Sequence, residues 1–304
     1  TSRAVAADWS PDGRWLAVGM DDGRLVIFAE NGDLVFDQDL SEADISDLSW
    51  NKDSEVLAFV NAGASVNFLE ATAEGWQLTD RVLNSFDNAS VVRWSPVVAD
   101  KLFVATFDNT IHLYTEGEIT PALTFVDGHD DWIRDVAWSP DGTRFVSCDD
   151  QGYVVVWQAT TGKILHRRRG HTDYVRTVDW HPEGHTLISG GDDNQLILWD
   201  TAGQVINKIT LDDWIYQARY DATGAAIGVV TKSNTFFHVT ANDRIATMLP
   251  EMVSCFAWRE NSNTVTLEDG RVLAKQLPAK YLIPEASALK LAQMAPVNLA
   301  LEPG

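Results

Sequence analysis

The chain has 304 residues, a net charge of −21 and an isoelectric point near 4.5. That charge repels phosphate backbones and anionic membranes, which excludes nucleic-acid binding unless a local basic site overcomes it. Two cysteines are too few for a disulfide scaffold, and no apolar run is long enough for a membrane span.

Seven aromatic anchors pace the chain: Trp9, Trp50, Trp94, Trp138, Trp180, Tyr220 and Trp258, 38 to 44 residues apart. A period of that length with an aromatic signature predicts a propeller in which each repeat is one blade of four strands. The repeat continues to about residue 277, so 1–277 is predicted to be one domain and 278–304 a tail. The fold class is all-β: a seven-bladed β-propeller of four-stranded antiparallel blades.

The first strand of each repeat ends at its anchor, over 4–10, 45–50, 91–95, 133–139, 175–180, 215–220 and 253–258. A tight turn follows, most plainly in Ser10-Pro11-Asp12-Gly13, Ser139-Pro140-Asp141-Gly142 and His181-Pro182-Glu183-Gly184. The second strand is a short, nearly unalternated apolar run such as 15–18, 102–105 or 187–189, the pattern of burial on both faces. Hairpins such as Asp21-Asp22-Gly23 lead to the third strand, at 24–28, 65–69, 110–114, 153–157, 195–199, 235–239 and 271–275. A more polar fourth strand, as at 163–168 and 204–210, forms the outer edge of each blade. The run Arg167-Arg168-Arg169 suits an edge that must not recruit other strands.

Cys148 and Cys255 fall in strands three blades apart, too far for a disulfide; buried free thiols fit a reducing compartment, and the expected location is the cytoplasm. Residues 285–294, after Pro284, read as a short helix in the tail. The chain opens inside the first strand of blade one, so the outer strand of blade seven is expected from 280–283 or 297–301. The N-terminus has neither Met nor a signal-peptide pattern, which fits a piece of a longer protein.

Residues 128–157, opening with Gly128-His129, and 170–200, from Gly170-His171 to Trp199-Asp200, resemble WD40 repeats. The second carries the full motif, and the resemblance implies that His171, Ser189, Asp193 and Trp199 form a buried hydrogen-bonded group that ties one blade together. Gln151 stands where the fourth blade is expected to carry its Asp, and blades one and three keep Asp22 and Asp108 without a Gly-His pair.

Phosphate loops, nucleophile elbows, zinc-helix motifs and zinc-spaced Cys pairs are absent from the sequence. No cofactor is expected. His181, Glu183 and His185 share one turn and are read as a solvated turn rather than a metal site. The Asp pairs 21/22, 149/150 and 192/193 are read as hairpin residues rather than catalytic acids.

Aligning the repeats on their anchors gives the strongest functional signal. Six residues before the anchor stand Arg3, Asp44, Asn88, Trp132, Tyr174, Trp214 and Met252; four before stand Val5, Ser46, Ser90, Arg134, Arg176, Tyr216 and Ser254. The family resemblance places these positions on the narrow face around the central channel, where peptides bind. Blades four to six therefore offer Trp132, Arg134, Tyr174, Arg176, Trp214 and Tyr216, the residue types that dominate binding hot spots. Asp131, Asp173 and Asp213 precede the aromatics and are expected either to orient the two arginines or to reject acidic partners. The functional expectation is a non-catalytic protein–protein interaction scaffold that binds a peptide or protein partner on that face. The alternatives are an architectural arm of a larger assembly, or the sensor or regulatory propeller of a longer multidomain protein.

Overall fold

Each repeat folds into its own antiparallel sheet, with its strands hydrogen-bonded in chain order. The structure is a computed structural model. It describes residues 3–240 apart from 41–42, 62–64, 85–87 and 99, together with 245–247, 253, 255–259, 262–267 and 273–276. Six sheets have four strands. The seventh has three among the described residues, Trp258–Arg259, Ser262–Leu267 and Leu273–Gln276, where the repeat count predicts a seventh four-stranded blade. The two tail segments expected to supply its fourth strand, 280–283 and 297–301, and the predicted helix at 285–294 lie outside the described residues. Among the described residues no helix is long and apolar enough to cross a membrane.

The innermost strands, Ala4–Trp9, Ile45–Trp50, Ala89–Trp94, Ile133–Trp138, Val175–Trp180 and Ile215–Tyr220, each end on their aromatic anchor. Beyond the anchor, the turns close as the sequence requires: Gly13, Gly142 and Gly184 donate their N–H groups back to Ser10, Ser139 and His181.

Apolar cores form between blades rather than within them. Val146, Cys148 and Val156 of blade four, for instance, pack on Val178, Leu187 and Trp199 of blade five. The last such core joins Cys255 and Ala257 to Trp9, Leu16 and Val18 of blade one, which closes the ring. Both cysteines are buried free thiols.

Polar stitches run along the channel wall, at positions three or one before the anchors of blades one, two, four, five and six. There a side chain of one blade accepts the main-chain N–H of the next: Asp8 from Trp50 (3.1 Å), Asp47 from Val92 (2.8 Å), Ser49 from Trp94 (3.0 Å) and Asp135 from Val178 (3.1 Å). Thr177, Asp179 and Gln217 do the same for Ala218, Tyr220 and Phe256. The anchors answer in the opposite sense. The indole N–H groups of Trp50, Trp138 and Trp258 donate to the carbonyls of Asp8, Arg93 and Arg219, each at 3.1 Å. Such bonds explain polar side chains in strands that are otherwise apolar, because buried main-chain groups at a blade joint need partners.

Two of these carboxylates titrate near neutrality. Burial raises Asp8 to about 7 and Asp179 to about 6, against the opposing hydrogen bonds and nearby arginines. In the unfolded chain both ionise at about pH 4. A raised carboxyl stabilises the fold at low pH and loses that contribution as pH climbs through its folded value. Stability is therefore expected to fall between about pH 4 and 7 on account of this pair. Asp8→Asn should flatten that part of the profile and raise the Tm at pH 8 by a few degrees. An unchanged slope in thermal melts of the variant would remove the channel carboxyls as its cause.

Candidate functional site

The innermost strands of blades one to six each carry a bulge at the same place. In blade four Ile133 pairs with Asp149 and Asp135 with Cys148, which leaves Arg134 without a cross-strand partner. Arg176 and Tyr216 are bulged in the same way, as are Val5, Ser46 and Ser90. A bulge inserts one residue and re-aims its side chain. Here it turns the residue four before each anchor into the mouth of the channel, where Arg134, Arg176 and Tyr216 line a cavity of about 670 Å³. A second cavity of about 340 Å³ opens at the anchor end, and Asp8, Arg93 and Arg219 line both.

The residues six before the anchors are held by main-chain bonds from the neighbouring hairpins. The carbonyls of Trp132, Tyr174 and Trp214 accept the N–H groups of Asp150 (3.2 Å), Asp192 (2.8 Å) and Lys232 (2.9 Å). Trp132, Tyr174 and Tyr216 are 48%, 42% and 41% exposed, so these rings reach the surface while one side of each meets a neighbouring group. Trp214 is half-buried, with the Lys232 ammonium 3.5 Å from its ring centre. Trp132 leans on Phe107 at 4.9 Å, and the Arg134 guanidinium lies 5.1 Å over its ring. Arg176 lies between Tyr174 and Tyr216, at 5.2 and 5.7 Å.

The arginines are not oriented by the aspartates that precede the aromatics. Asp131, Asp173 and Asp213 each accept the N–H of the following residue, at 2.8 to 2.9 Å. Arg134 is instead held by both oxygens of Asp150, and Arg176 by both of Asp192, at 2.9 and 2.6 Å. The hydrogen bond to Asp192 raises the Arg176 guanidinium above its ordinary range. Asp150 and Asp192 are thus more than hairpin residues: each is the fork that fixes an arginine. In blade six the same two places hold Tyr216 and Lys232.

Away from the mouth, His171, Ser189, Asp193 and Trp199 come together. His171 Nδ1 lies 2.8 Å from Asp193, its Nε2 lies 2.7 Å from the Ser189 hydroxyl, and the Trp199 indole N–H donates to that hydroxyl at 2.8 Å. An ionised Asp193 can only accept, so Nδ1 carries the proton and Nε2 accepts from Ser189. Burial works against the Asp193 charge, but bonds from His171, Thr172 and Gln195 hold it below the usual carboxylate range. Blade four builds the same group from His129, Ser147, Asp149 and Trp157. Its Asp stands two residues before Gln151, so the blade does not lack one. Gly128 and Gly170 precede the two histidines because a Cβ there would lie 2.0 and 2.1 Å from the rings of Trp157 and Trp199.

His181, Glu183 and His185 lie with ligand atoms within 4.8 Å of one another. His181 Nδ1 accepts the Glu183 N–H at 3.1 Å, and His185 Nε2 pairs with the Glu183 carboxylate at 2.9 Å. Burial lowers the His181 imidazole below its ordinary range. With one ring nitrogen of His181 already occupied, these contacts close the turn.

The family model described as WD domain, G-beta repeat, matches residues 120–158 and 162–200, and that of the anaphase-promoting complex subunit 4 WD40 domain matches 7–95. The chain is 29% identical over 166 residues to WD40 repeat-containing protein HOS15 of Arabidopsis thaliana, covering 53% of this chain and 26% of that protein. It is 26% identical over 170 residues to WD repeat-containing protein 1-A of Xenopus laevis, covering 53% and 27%, and 28% identical over 126 residues to Coronin-7 of Pongo abelii, covering 40% and 14%. The chain thus spans about a quarter or less of the length of these relatives. Matches that begin in blade one and end in blade five, over sheets built to a single plan, make this chain a member of the WD40-repeat family.

Proposed function

We propose that the chain is a non-catalytic protein-interaction scaffold that takes a peptide or protein partner at the channel mouth over blades four to six. WD40 propellers bind proteins in general, which supports the scaffold reading. The observation that carries the choice of face is the exposure of Trp132, Tyr174 and Tyr216 on three successive blades, beside a cavity lined by Tyr216 and by the two arginines that lie over Trp132 and Tyr174. Exposed rings of this size grouped at one opening are typical of interaction sites. Two buried free thiols support a reducing, cytoplasmic setting.

The test is binding with the aromatic anchors removed. Trp132→Ala with Tyr174→Ala is expected to weaken a captured partner by about 2 kcal/mol or more, with the Tm within a few degrees of the parent. Unaltered binding in a pull-down with the purified chain would move the partner site elsewhere. A large loss of Tm would show that the rings are structural.

A further inference from the structure

Four of the 23 lysines and arginines of this chain fall within residues 163–169, although the net charge is −21. They lie on and beside Ile164–Arg169, the outermost strand of blade four, which is hydrogen-bonded on one side only. Arginines elsewhere in the described residues repeatedly take a carboxylate: Arg24 pairs with Asp37, Arg93 with Asp47, Arg134 with Asp150 and Arg176 with Asp192. Within the run, Arg167 follows that pattern, pairing with Asp130 at 2.6 Å over the ring of Tyr153.

Its two neighbours do not. Arg168 donates to the carbonyl of Arg167 at 3.2 Å, and Arg169 to that of Gln151 at 3.1 Å. Both are exposed, and neither makes an ion pair among the described residues. Lys208, on the outer strand of the next blade, donates to the carbonyl of Gly170 at 2.9 Å and extends the positive surface. Between the two blades, a small notch is floored by Val154, Leu187 and Trp199 beneath His166 and Arg168. A charged edge turns away neutral and basic strands, yet the same charges favour an acidic one.

We propose that the outer strand of blade four is a docking edge for an acidic, extended segment of a partner protein, which adds to the blade as a fifth strand. Main-chain pairing supplies affinity in this mode and alternate side chains supply selectivity. The net negative charge of the chain sharpens that selectivity, because it disfavours an acidic segment wherever cations are not clustered as they are at this edge. The proposal does not rest on the channel-mouth reading.

The probe is a fluorescein-labelled octapeptide of alternating Glu and Val, titrated into the full chain at low and high salt. Binding at low salt is expected, weakened about tenfold or more by Arg168→Glu with Arg169→Glu. It should be retained by Arg168→Lys with Arg169→Lys, and by Trp132→Ala with Tyr174→Ala. Bound peptide should also protect main-chain amides of 164–169 from hydrogen exchange. Absence of binding at millimolar peptide, or equal binding by the charge-reversed variant, would overturn the proposal. So would stronger binding of a single-stranded DNA of equal charge, or a dimer of the chain that the charge reversal dissolves.

Discussion

Replacing Asp135 with alanine is expected to cost about 3–5 kcal/mol, because it strips the partner from buried charges. Its carboxylate is only 4% exposed and takes Arg93 of blade three at 3.0 Å and Arg219 of blade six at 2.9 Å. It also accepts the Val178 N–H and the Thr177 hydroxyl of blade five. One side chain of blade four therefore links three other blades, and its loss takes the carboxylate from Arg219 and leaves Arg93 with Asp47 alone. At about 2–4 °C per kcal/mol, the Tm should drop by roughly 10 °C. Asp135→Asn keeps the shape and an acceptor, and should fall between the parent and Asp135→Ala. A loss below about 1 kcal/mol in denaturant melts would mean that channel water satisfies the arginines unaided.

Trp199→Ala is expected to cost a similar amount, about 3–5 kcal/mol, for a different reason. The ring is buried at the joint between blades four and five and also donates to Ser189. Trp199→Phe keeps most of the packing and loses the donor, so about 1–2 kcal/mol is expected. Gly170 offers an internal control. A methyl group at 170 would overlap the indole, at 2.1 Å from Cη2. Gly170→Ala should therefore be harmful in the parent and nearly neutral once Trp199 is alanine, a strong departure from additivity. Additive losses would show that the glycine is required by something other than the ring.

The blade period was legible because the anchors are large rings at regular intervals, and turns with Pro and Gly punctuate the strands between them. The hydrogen-bonded group of blade five was legible for the same reason: all four members occupy their motif positions. In blade four the Asp has moved two residues, from the place held by Gln151 to Asp149, and a fixed-spacing motif passes over it. Alignment on the anchors also groups Arg134, Arg176 and Tyr216, which line the cavity at the channel mouth, but of its two readings of the nearby aspartates the one that paired them with the arginines chose the wrong carboxylates. Asp131 and Asp173 are adjacent in sequence to the aromatics, whereas Asp150 and Asp192 reach the guanidinium groups across a hairpin. The stitches along the channel were the largest omission. Asp47, Ser49, Asp135 and Thr177 alternate with apolar residues, which reads as one wet face of a strand. That face is turned toward the main chain of the neighbouring blade, a partner that no single repeat reveals. A polar residue at three or one before six of the seven anchors was the available signal.

The stitches run from blade four to five, from five to six and from six to seven, so the blades at the mouth behave as one rigid arc. Blade five cannot tilt without stretching bonds on both flanks, so the spacing of the rings there is set before anything arrives. A visitor to that opening meets a preorganised outline and gives up mainly its own freedom on contact.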